Sequence, residues 1–182
     1  MEIVFVTTNR GKMGEAKEIG AHYGIEFIPN DYDAVEMRSS DPEEIAIGSA
    51  KDAYAKIKRP LIVEDSGLFI ETLKGFPGTY SAFVFHTIGV NGVLKVMEHK
   101  VKRAATMKSA VAYTDGKSVK SFLGEVKGIV PKDSRGVSGF GYDPIFIPEG
   151  KDRTFAEDLD YKASVSHRAQ SIRKFCEWYS NK

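Results

Sequence analysis

Leu61–Leu68 reads L-I-V-E-D-S-G-L, and this segment gives the first indication of the architecture. Its first three residues are apolar and two of them are β-branched, which predicts a short buried strand. Glu64 and Asp65 follow at once, and Ser66-Gly67 predicts that the strand ends there. We therefore expect charge at the carboxyl edge of a sheet, where open α/β sheets bind their ligands. The same residues are also consistent with an ordinary polar turn.

The first predicted strand, Ile3–Val6, runs into a polar loop and then into a helix between about Lys12 and Gly24. Backbone N–H groups at the start of such a helix favour an anion, and hydroxyls, amides and cations suit a polyphosphate. The loop is not a Walker A motif, because Val6 and Met13 stand where that motif has glycine and a hydroxyl residue. An ordinary polar loop whose side chains cap the helix without a ligand is the alternative. The loop consists of Thr7, Thr8, Asn9, Arg10, Gly11 and Lys12.

Two later segments also carry candidate binding residues. A loop rich in glycine and proline leads into F-G-Y-D-P, which contains Phe140, Gly141, Tyr142 and Asp143. A C-terminal helix is predicted to begin around Ser166, with His167 and Arg168 in its first turn. A cation there opposes the helix dipole, and a bound anion would offset the mismatch. The alternatives are a plain turn with aromatic packing and a solvated helix start.

The order of the predicted elements indicates an α/β fold with a mixed central β-sheet and helices on both faces. A hairpin turn at Asp115-Gly116 is expected to draw the chain out into an elongated, two-lobed shape, with the site in the cleft between the lobes. The other predicted strands are Ile25–Ile28, Thr106–Thr114, Ser118–Val126 and Ile145–Ile147. A second helix is predicted to start at Asp41-Pro42 and to end before Pro60. Two short helices are predicted over Ala82–Ile88 and Val93–Met97, with Asn91 near a cap. A further short helix is predicted at the capping box Thr154–Glu157.

Bulk composition narrows the class of protein. A length of 182 residues predicts one domain that covers residues 1–182. A formal net charge of +1 argues against a surface that coats nucleic acid. No apolar run is long enough for a membrane span, and Glu2 comes too early for a signal peptide, so we expect a cytoplasmic protein. Cys176 lies in an apolar helical pattern and is expected to pack in the core.

Five strings in this sequence resemble, in the same order, those of the Ham1/RdgB-type inosine triphosphate pyrophosphatases, which hydrolyse noncanonical purine nucleoside triphosphates. They extend from the end of the first predicted strand to the last helix, so the resemblance covers essentially the whole chain. The strings are T-T-N-R-G-K (Thr7–Lys12), V-E-D-S-G-L (Val63–Leu68), F-P-G-T-Y-S-A (Phe76–Ala82), F-G-Y-D-P-I-F (Phe140–Phe146) and K-A-S-V-S-H-R (Lys162–Arg168).

The resemblance implies a role for each candidate residue, within a single ITPase-like domain. It assigns the phosphates to Thr7, Asn9 and Lys12, with Lys162 and Arg168 closing on them. It assigns Mg²⁺ to Glu36 and Asp65, and the general base to Asp65. It assigns nucleotide contact to Ser66, base stacking to Phe140, and the base edge to Asp143 and His167. Their neighbours Thr8, Arg10, Gly11, Gly141 and Tyr142 are further candidate substrate-binding residues, whereas the roles of Lys51 and Glu64 stay open.

The implied reaction is attack by water at the α-phosphorus of ITP, dITP or XTP, which releases the monophosphate and pyrophosphate. A carboxylate of ordinary acidity is a poor base at neutral pH, so the metal must acidify the water, and we expect an alkaline optimum. Relatives in this family are usually dimers, which implies a homodimer through the apolar segment Phe76–Phe85. Two alternatives are a Maf-like nucleotide pyrophosphatase with another base specificity and a nucleotide-binding regulator without turnover.

Overall fold

The computed structural model describes residues 1–35 and 37–182, which divide into two compact units. Unit 1 consists of Met1–Asp65, Ser109–Gly124 and His167–Lys182. Unit 2 consists of Ser66–Lys108 and Glu125–Ser166. Each unit has a hydrophobic core of its own.

The described residues form seven strands and six α-helices in a mixed arrangement. The strands are β1 (Glu2–Val6), β2 (Glu26–Asn30), β3 (Leu61–Ile70), β4 (Pro77–Gly78), β5 (Ala104–Thr114), β6 (Val119–Ile129) and β7 (Ile147–Pro148). The helices are α1 (Arg10–Ala21), α2 (Pro42–Ile57), α3 (Ser81–Thr87), α4 (Gly89–Val96), α5 (Leu159–Val165) and α6 (His167–Ser180). The strand order is β2-β1-β3-β5-β6-β7, with β4 paired to β3. Pairing is parallel for β1 with β2 and β3, and antiparallel for β3 with β4 and β6 with β7, which confirms the predicted mixed sheet.

The strands of unit 1 present alternate side chains to two different helical layers. Phe5 and Ile62 belong to a buried cluster with residues of α1 and α6, whereas Val6 and Val63 belong to a cluster with residues of α2. The sheet of unit 1 is therefore covered on both faces, as the sequence predicted. Cys176 of α6 is fully buried in the first of these clusters, and burial raises the pKa of its thiol to about 12.

Unit 2 has a separate core in which β3 packs against α3, α4 and the segment around Phe146. Leu68 and Ile70 of β3 are almost completely buried there, together with Met97 and Phe155. Within residues 1–35 and 37–182, no helix combines the length and the hydropathy that a membrane crossing requires.

The prediction that β3 ends at Ser66-Gly67 is wrong. The strand continues to Ile70, because Leu68 pairs with Gly78 of β4. A Cβ at Gly67 would lie 2.1 Å from the carbonyl oxygen of Gly78, so glycine is needed here for close backbone approach. The acid pair consequently lies inside a ten-residue strand.

Three smaller predictions are also wrong. Thr154 and Glu157 form only part of a capping box: the Thr154 N–H donates to Glu157, but the Thr154 hydroxyl donates to the carbonyl of Arg135. The next helix therefore begins at Leu159, where the Asp158 side chain caps it. Asn91 lies within α4 rather than at a cap. The predicted strand Ile145–Ile147 is a 3₁₀ turn, Asp143–Ile145, followed by the two-residue β7.

Candidate active site

The loop between β1 and α1 is held by its own side chains. Asn9 is the N-cap of α1, and its Oδ1 accepts a hydrogen bond from the backbone N–H of Lys12 at 3.1 Å. The Thr7 hydroxyl oxygen accepts from the backbone N–H of Asn9 at 3.1 Å. These contacts confirm the capping interpretation, and the N-terminus of α1 follows the carboxyl end of β1 in the chain. That position favours an anion.

Glu64 and Asp65 lie on opposite faces of β3, because successive side chains of a strand alternate. Ile62 packs toward α1 and α6, and the alternation places Glu64 on this same face. Val63 packs toward α2, and the alternation places Asp65 with it. The two adjacent acids therefore face different helical layers, Glu64 that of α1 and α6 and Asp65 that of α2.

Glu64 gathers two cations that lie far apart in the sequence. Its Oε2 is 2.8 Å from Nζ of Lys12, which also donates to the Glu64 carbonyl oxygen at 3.1 Å. Its Oε1 accepts from Nε of Arg168 at 3.2 Å. Burial alone would raise the pKa of the Glu64 carboxyl, but Arg168 and Lys12 outweigh it and hold this pKa well below the usual range. Glu64 is therefore ionised at neutral pH.

Arg168 has a second acidic partner, Glu15 of α1. Its Nη1 donates to Oε2 of Glu15 at 2.9 Å, and the Arg168 side chain is only 5% exposed. The pairing offsets the unfavourable placement of a cation in the first turn of α6. Lys12, Arg168, Glu64 and Glu15 together carry no net charge, so a bound polyanion would need further positive charge nearby.

The face of β3 that carries Asp65 also receives the segment after β2. Tyr32 and Ala34 pack against the cluster that contains Val63. Asp52 of α2 anchors this segment, since its Oδ2 accepts from the backbone N–H of Val35 and from the Tyr32 hydroxyl, each at 3.0 Å. The predicted metal ligand Glu36 follows directly and lies outside the described residues.

The carboxylates of the described residues fit Mg²⁺ only if phosphate and water complete its coordination. Among the described residues, no group of three or more His, Cys, Asp or Glu side chains is placed to hold a metal. Glu64 is engaged by Lys12 and Arg168, so it is poorly suited to binding a further cation. Asp65 remains as a half-buried carboxylate on the other face. One or two carboxylates completed by phosphate and water are what Mg²⁺ typically uses.

In unit 2, Asp143 organises a second group of predicted residues. Its Oδ2 accepts from Nζ of Lys162 at 2.6 Å and from the backbone N–H of Phe140 at 2.8 Å. Both side chains of the Asp143–Lys162 pair are 4% exposed. The Lys162 ammonium also lies 4.4 Å from the centre of the Phe140 ring. Gly139 has a φ of +75°, and a Cβ there would lie 2.3 Å from Oδ2 of Asp143.

Two further residues considered in the sequence analysis have surroundings of their own. Tyr142 is buried, donates its hydroxyl to the Ser81 carbonyl at 2.9 Å, and has its pKa raised to about 12 by burial. Lys51 lies on α2 with an exposed side chain. The predicted site residues that the structure describes thus fall into two sets. Unit 1 contains Thr7, Thr8, Asn9, Arg10, Gly11, Lys12, Asp65, His167 and Arg168, and unit 2 contains Ser66, Phe140, Gly141, Tyr142, Asp143 and Lys162.

Three residues near Glu64 were not anticipated from the sequence: Glu15, Ser109 and Ser171. Glu15 follows Lys12 by three positions on α1, a spacing that places both on one helix face. Ser109 shares a face of β5 with Val111 and Tyr113, which belong to a buried apolar cluster. A hydroxyl in such a series indicates a buried polar partner, and this was the available signal.

Comparison with known proteins gives a consistent result over the whole chain. A model of the Ham1 family matches residues 3–178. A protein of Methanopyrus kandleri named dITP/XTP pyrophosphatase is 50% identical, with 100% of this chain and 97% of that protein covered. One of the same name from Saccharolobus solfataricus is 46% identical, with 98% and 93% covered. The solved structure of a HAM1 protein from Coxiella burnetii matches with a TM-score of 0.87 at 28% identity, covering 100% of both chains.

Proposed function

The chain belongs to the Ham1 family, and we propose on this premise that it is a hydrolase of noncanonical purine nucleoside triphosphates. Its substrates are dITP, ITP and XTP, and its products are the monophosphate and pyrophosphate. The full-length relatives named dITP/XTP pyrophosphatase support this activity. The observation that carries the proposal is the pairing of Lys12 and Arg168 on Glu64, directly beside Asp65 and the N-terminus of α1.

Lys12 contacts the triphosphate in this proposal. Glu64 fixes this side chain before substrate arrives, through an ion pair with Oε2 and a hydrogen bond to the carbonyl oxygen. A remaining N–H of the ammonium group is suited to a phosphate oxygen. The first N–H groups of α1, set in place by Thr7 and Asn9, add partial positive charge at the same end. Phosphoryl transfer depends mainly on such positioning and electrostatic stabilisation.

Asp65 is the general base in this proposal. Its carboxylate accepts the proton of the water that attacks the α-phosphorus, and the pyrophosphate group leaves. We propose that Asp65 and Glu36 hold Mg²⁺, which when bound supplies positive charge to the phosphates and acidifies water. The electrically balanced cluster around Glu64 supports this part, since it offers the polyanion no net positive charge of its own.

The residues of unit 2 suit the purine. Phe140 offers an aromatic face for stacking, and Asp143 fixes its backbone at 2.8 Å. Stacking tolerates any base, so selection must come from polar groups. We propose that Asp143 and His167 contact the base edge, where hypoxanthine and xanthine carry an oxo group at C6 and lack the amine that adenine has at C6 and guanine has at C2. A canonical purine would leave a buried polar group mismatched, which is costly.

We further propose that residues 1–182 act as one ITPase-like domain, in a cytoplasmic homodimer. The family match over residues 3–178 supports the first part. A substrate drawn from the nucleotide pool supports the cytoplasmic location. The exposed aromatic side chains Phe76, Tyr80 and Phe83 support the dimer, because exposed apolar groups clustered in sequence are typical of protein interfaces. Light scattering after gel filtration tests the assembly.

The activity is tested by incubating the protein with dITP, ITP, XTP and ATP, with and without Mg²⁺, and identifying the released anion. We expect pyrophosphate, not orthophosphate, from the first three and little from ATP. Titration calorimetry with ITP, with and without Mg²⁺, measures the metal's contribution to binding apart from turnover. Release of orthophosphate, or preference for pyrimidine nucleotides, would contradict the proposal.

The role of Asp65 is tested by Asp65→Asn, compared with Asp133→Asn at an exposed loop position. We expect Asp65→Asn to abolish turnover and to leave ITP bound within about tenfold of the wild-type affinity, because positioning and chemistry are separable. The Asp133→Asn protein should behave as wild type. Full activity of Asp65→Asn would remove Asp65 from its proposed role.

A further inference from the structure

A buried chain of hydroxyl groups leads from α6 to Glu64. The Ser109 Oγ lies 2.6 Å from Oε1 of Glu64 and 2.8 Å from Oγ of Ser171. Ser109 is 1% exposed and Ser171 is 0% exposed, so water does not compete for these groups. Ser109 comes from β5 and Ser171 from α6, and the chain therefore joins a strand and a helix through side-chain atoms alone.

Counting hydrogens fixes the direction of this chain. Each Glu64 oxygen faces a cation, Lys12 at Oε2 and Arg168 at Oε1, so Oε1 acts as an acceptor and the single hydroxyl hydrogen of Ser109 is donated to it. The contact between the two serines then requires Ser171 to donate to Ser109. The Arg168 carbonyl, 3.0 Å from the Ser171 hydroxyl, is the alternative acceptor, and donation to it would leave the serine pair without a hydrogen. One orientation satisfies both short contacts.

We propose that Ser109 is a positioning residue for the reaction, and that Ser171 orients its hydroxyl toward Glu64. The inference rests on the proposed function and deepens it. Oε1 of Glu64 is shared by Ser109 and Arg168, and Oε2 is paired with Lys12. A carboxylate fixed at both oxygens holds the two cations at a constant separation. Ser109 therefore acts on the substrate phosphates only through Glu64.

The geometry around Gly124 adds to this argument. A Cβ at this position of β6 would lie 2.0 Å from the His167 carbonyl oxygen and 2.9 Å from the Ser171 nitrogen. The start of α6 is thus seated directly on the strand backbone. Such close seating keeps Ser171 within reach of Ser109, whereas a looser contact would break the 2.8 Å bond between the hydroxyl groups.

The test compares Ser109→Ala, Ser109→Thr and Ser49→Ala. Ser49 is a matched control, because it is also buried but its hydroxyl has no hydrogen-bond partner among the described residues. We expect Ser109→Ala to lower kcat for ITP by about 10- to 100-fold, the effect of losing a hydrogen bond to a buried charge. KM should change by less than about threefold, since misplacement acts mainly in the transition state. Ser109→Thr keeps the donor and should restore most of kcat.

Ser171→Ala and the double variant test the direction of the chain. We expect Ser171→Ala to lower kcat by about three- to tenfold, and to have no further effect in the Ser109→Ala background. Thermal unfolding identifies any variant that does not fold. If Ser109→Ala does not fold, the comparison of kcat between Ser171→Ala and Ser49→Ala tests the proposal instead.

The two proposals fail in different ways. Absence of pyrophosphate release by the wild-type protein would overturn the proposed function and this inference with it. An active wild type, with Ser109→Ala and Ser171→Ala indistinguishable from Ser49→Ala, would overturn the inference alone. Failure of a folded Ser109→Thr protein to recover activity would also overturn it, because the hydroxyl donor would then be irrelevant.

Discussion

Replacing Glu64 by glutamine tests whether one buried carboxylate holds the candidate site together. The substitution keeps the size of the side chain and removes its charge. Oε1 contacts Ser109 and Arg168, whereas Oε2 contacts Lys12 at 2.8 Å. A glutamine amide has one acceptor oxygen and one donor NH₂ group, so one of these two sets of donors must meet another donor.

The expected loss of stability follows from burial. The Glu64 side chain is 0% exposed and Arg168 is 5% exposed, and breaking such a buried pair costs about 3–5 kcal/mol. Arg168 retains Glu15 at 2.9 Å, and the Lys12 side chain is 18% exposed and can be partly hydrated. These compensations favour the lower end of the range. We expect a loss of about 3 kcal/mol at neutral pH.

The pH dependence gives a second, independent signature. The pKa of Glu64 is lowered in the folded protein, because Arg168 and Lys12 outweigh the opposing effect of burial. A lowered carboxyl pKa contributes stability that is present above the unfolded pKa, about 4.3, and is lost as pH falls toward the folded pKa. The difference between wild type and Glu64→Gln should therefore be constant from about pH 8 to pH 5.5 and shrink below about pH 4.

Urea unfolding at several pH values measures this difference by linear extrapolation. Glu98→Gln is the matched control, because Glu98 forms an ion pair with Lys95 at 2.7 Å in which both side chains are largely exposed. That variant should show no measurable change. A loss below about 1 kcal/mol for Glu64→Gln, or a difference that persists undiminished at pH 3, would refute the assignment of a buried, ionised Glu64.

Five further outcomes are expected. Gly124→Ala should destabilise the protein by about 1–3 kcal/mol in urea unfolding, because its Cβ would meet the His167 carbonyl at 2.0 Å. Gly14→Ala should instead be neutral or stabilising by up to about 1 kcal/mol, since nothing lies within 4 Å of that added carbon. Asp143→Asn should lower the thermal midpoint, because it leaves the buried Lys162 ammonium without its 2.6 Å carboxylate partner, and an unchanged midpoint would contradict the pairing. Phe140→Ala should raise KM for XTP about tenfold or more through loss of stacking, with equal KM values counting against its role. The rate of ITP hydrolysis should rise from pH 7 to pH 9, and a flat profile would argue against a metal-acidified water.

The sequence allowed the architecture and the family to be predicted, because these depend on local patterns. Asp41 caps α2 with Pro42 in its first turn, as predicted. Asp115-Gly116 joins β5 and β6, also as predicted. The comparisons confirm the family and the fold. Such features are encoded within a few neighbouring residues, where capping and turn preferences act.

The errors arose where distant backbone segments decide the conformation. Ser66-Gly67 is typical of a turn, but Gly67 is there to admit the carbonyl of Gly78. Phe155 donates its N–H to the carbonyl of Phe146 at 3.1 Å, which draws the Thr154–Glu157 segment into a turn instead of a helix. Neither partner can be read from local sequence. In both cases a tertiary hydrogen bond or close approach overrides a correct local preference.

The continuation of β3 changes what the adjacent acids can do. Had the strand ended at Asp65, both carboxylates would have been free to turn toward the same ligand. Inside a strand they must face opposite sides, so Glu64 pairs with Lys12 and Arg168 while Asp65 faces the layer of α2. A single residue could not serve both surroundings, because a carboxylate held by two cations is too weak a base to accept a proton at neutral pH. In the proposed reaction, this separation keeps the cation-binding carboxylate ionised and assigns the attacking water to the neighbouring carboxylate.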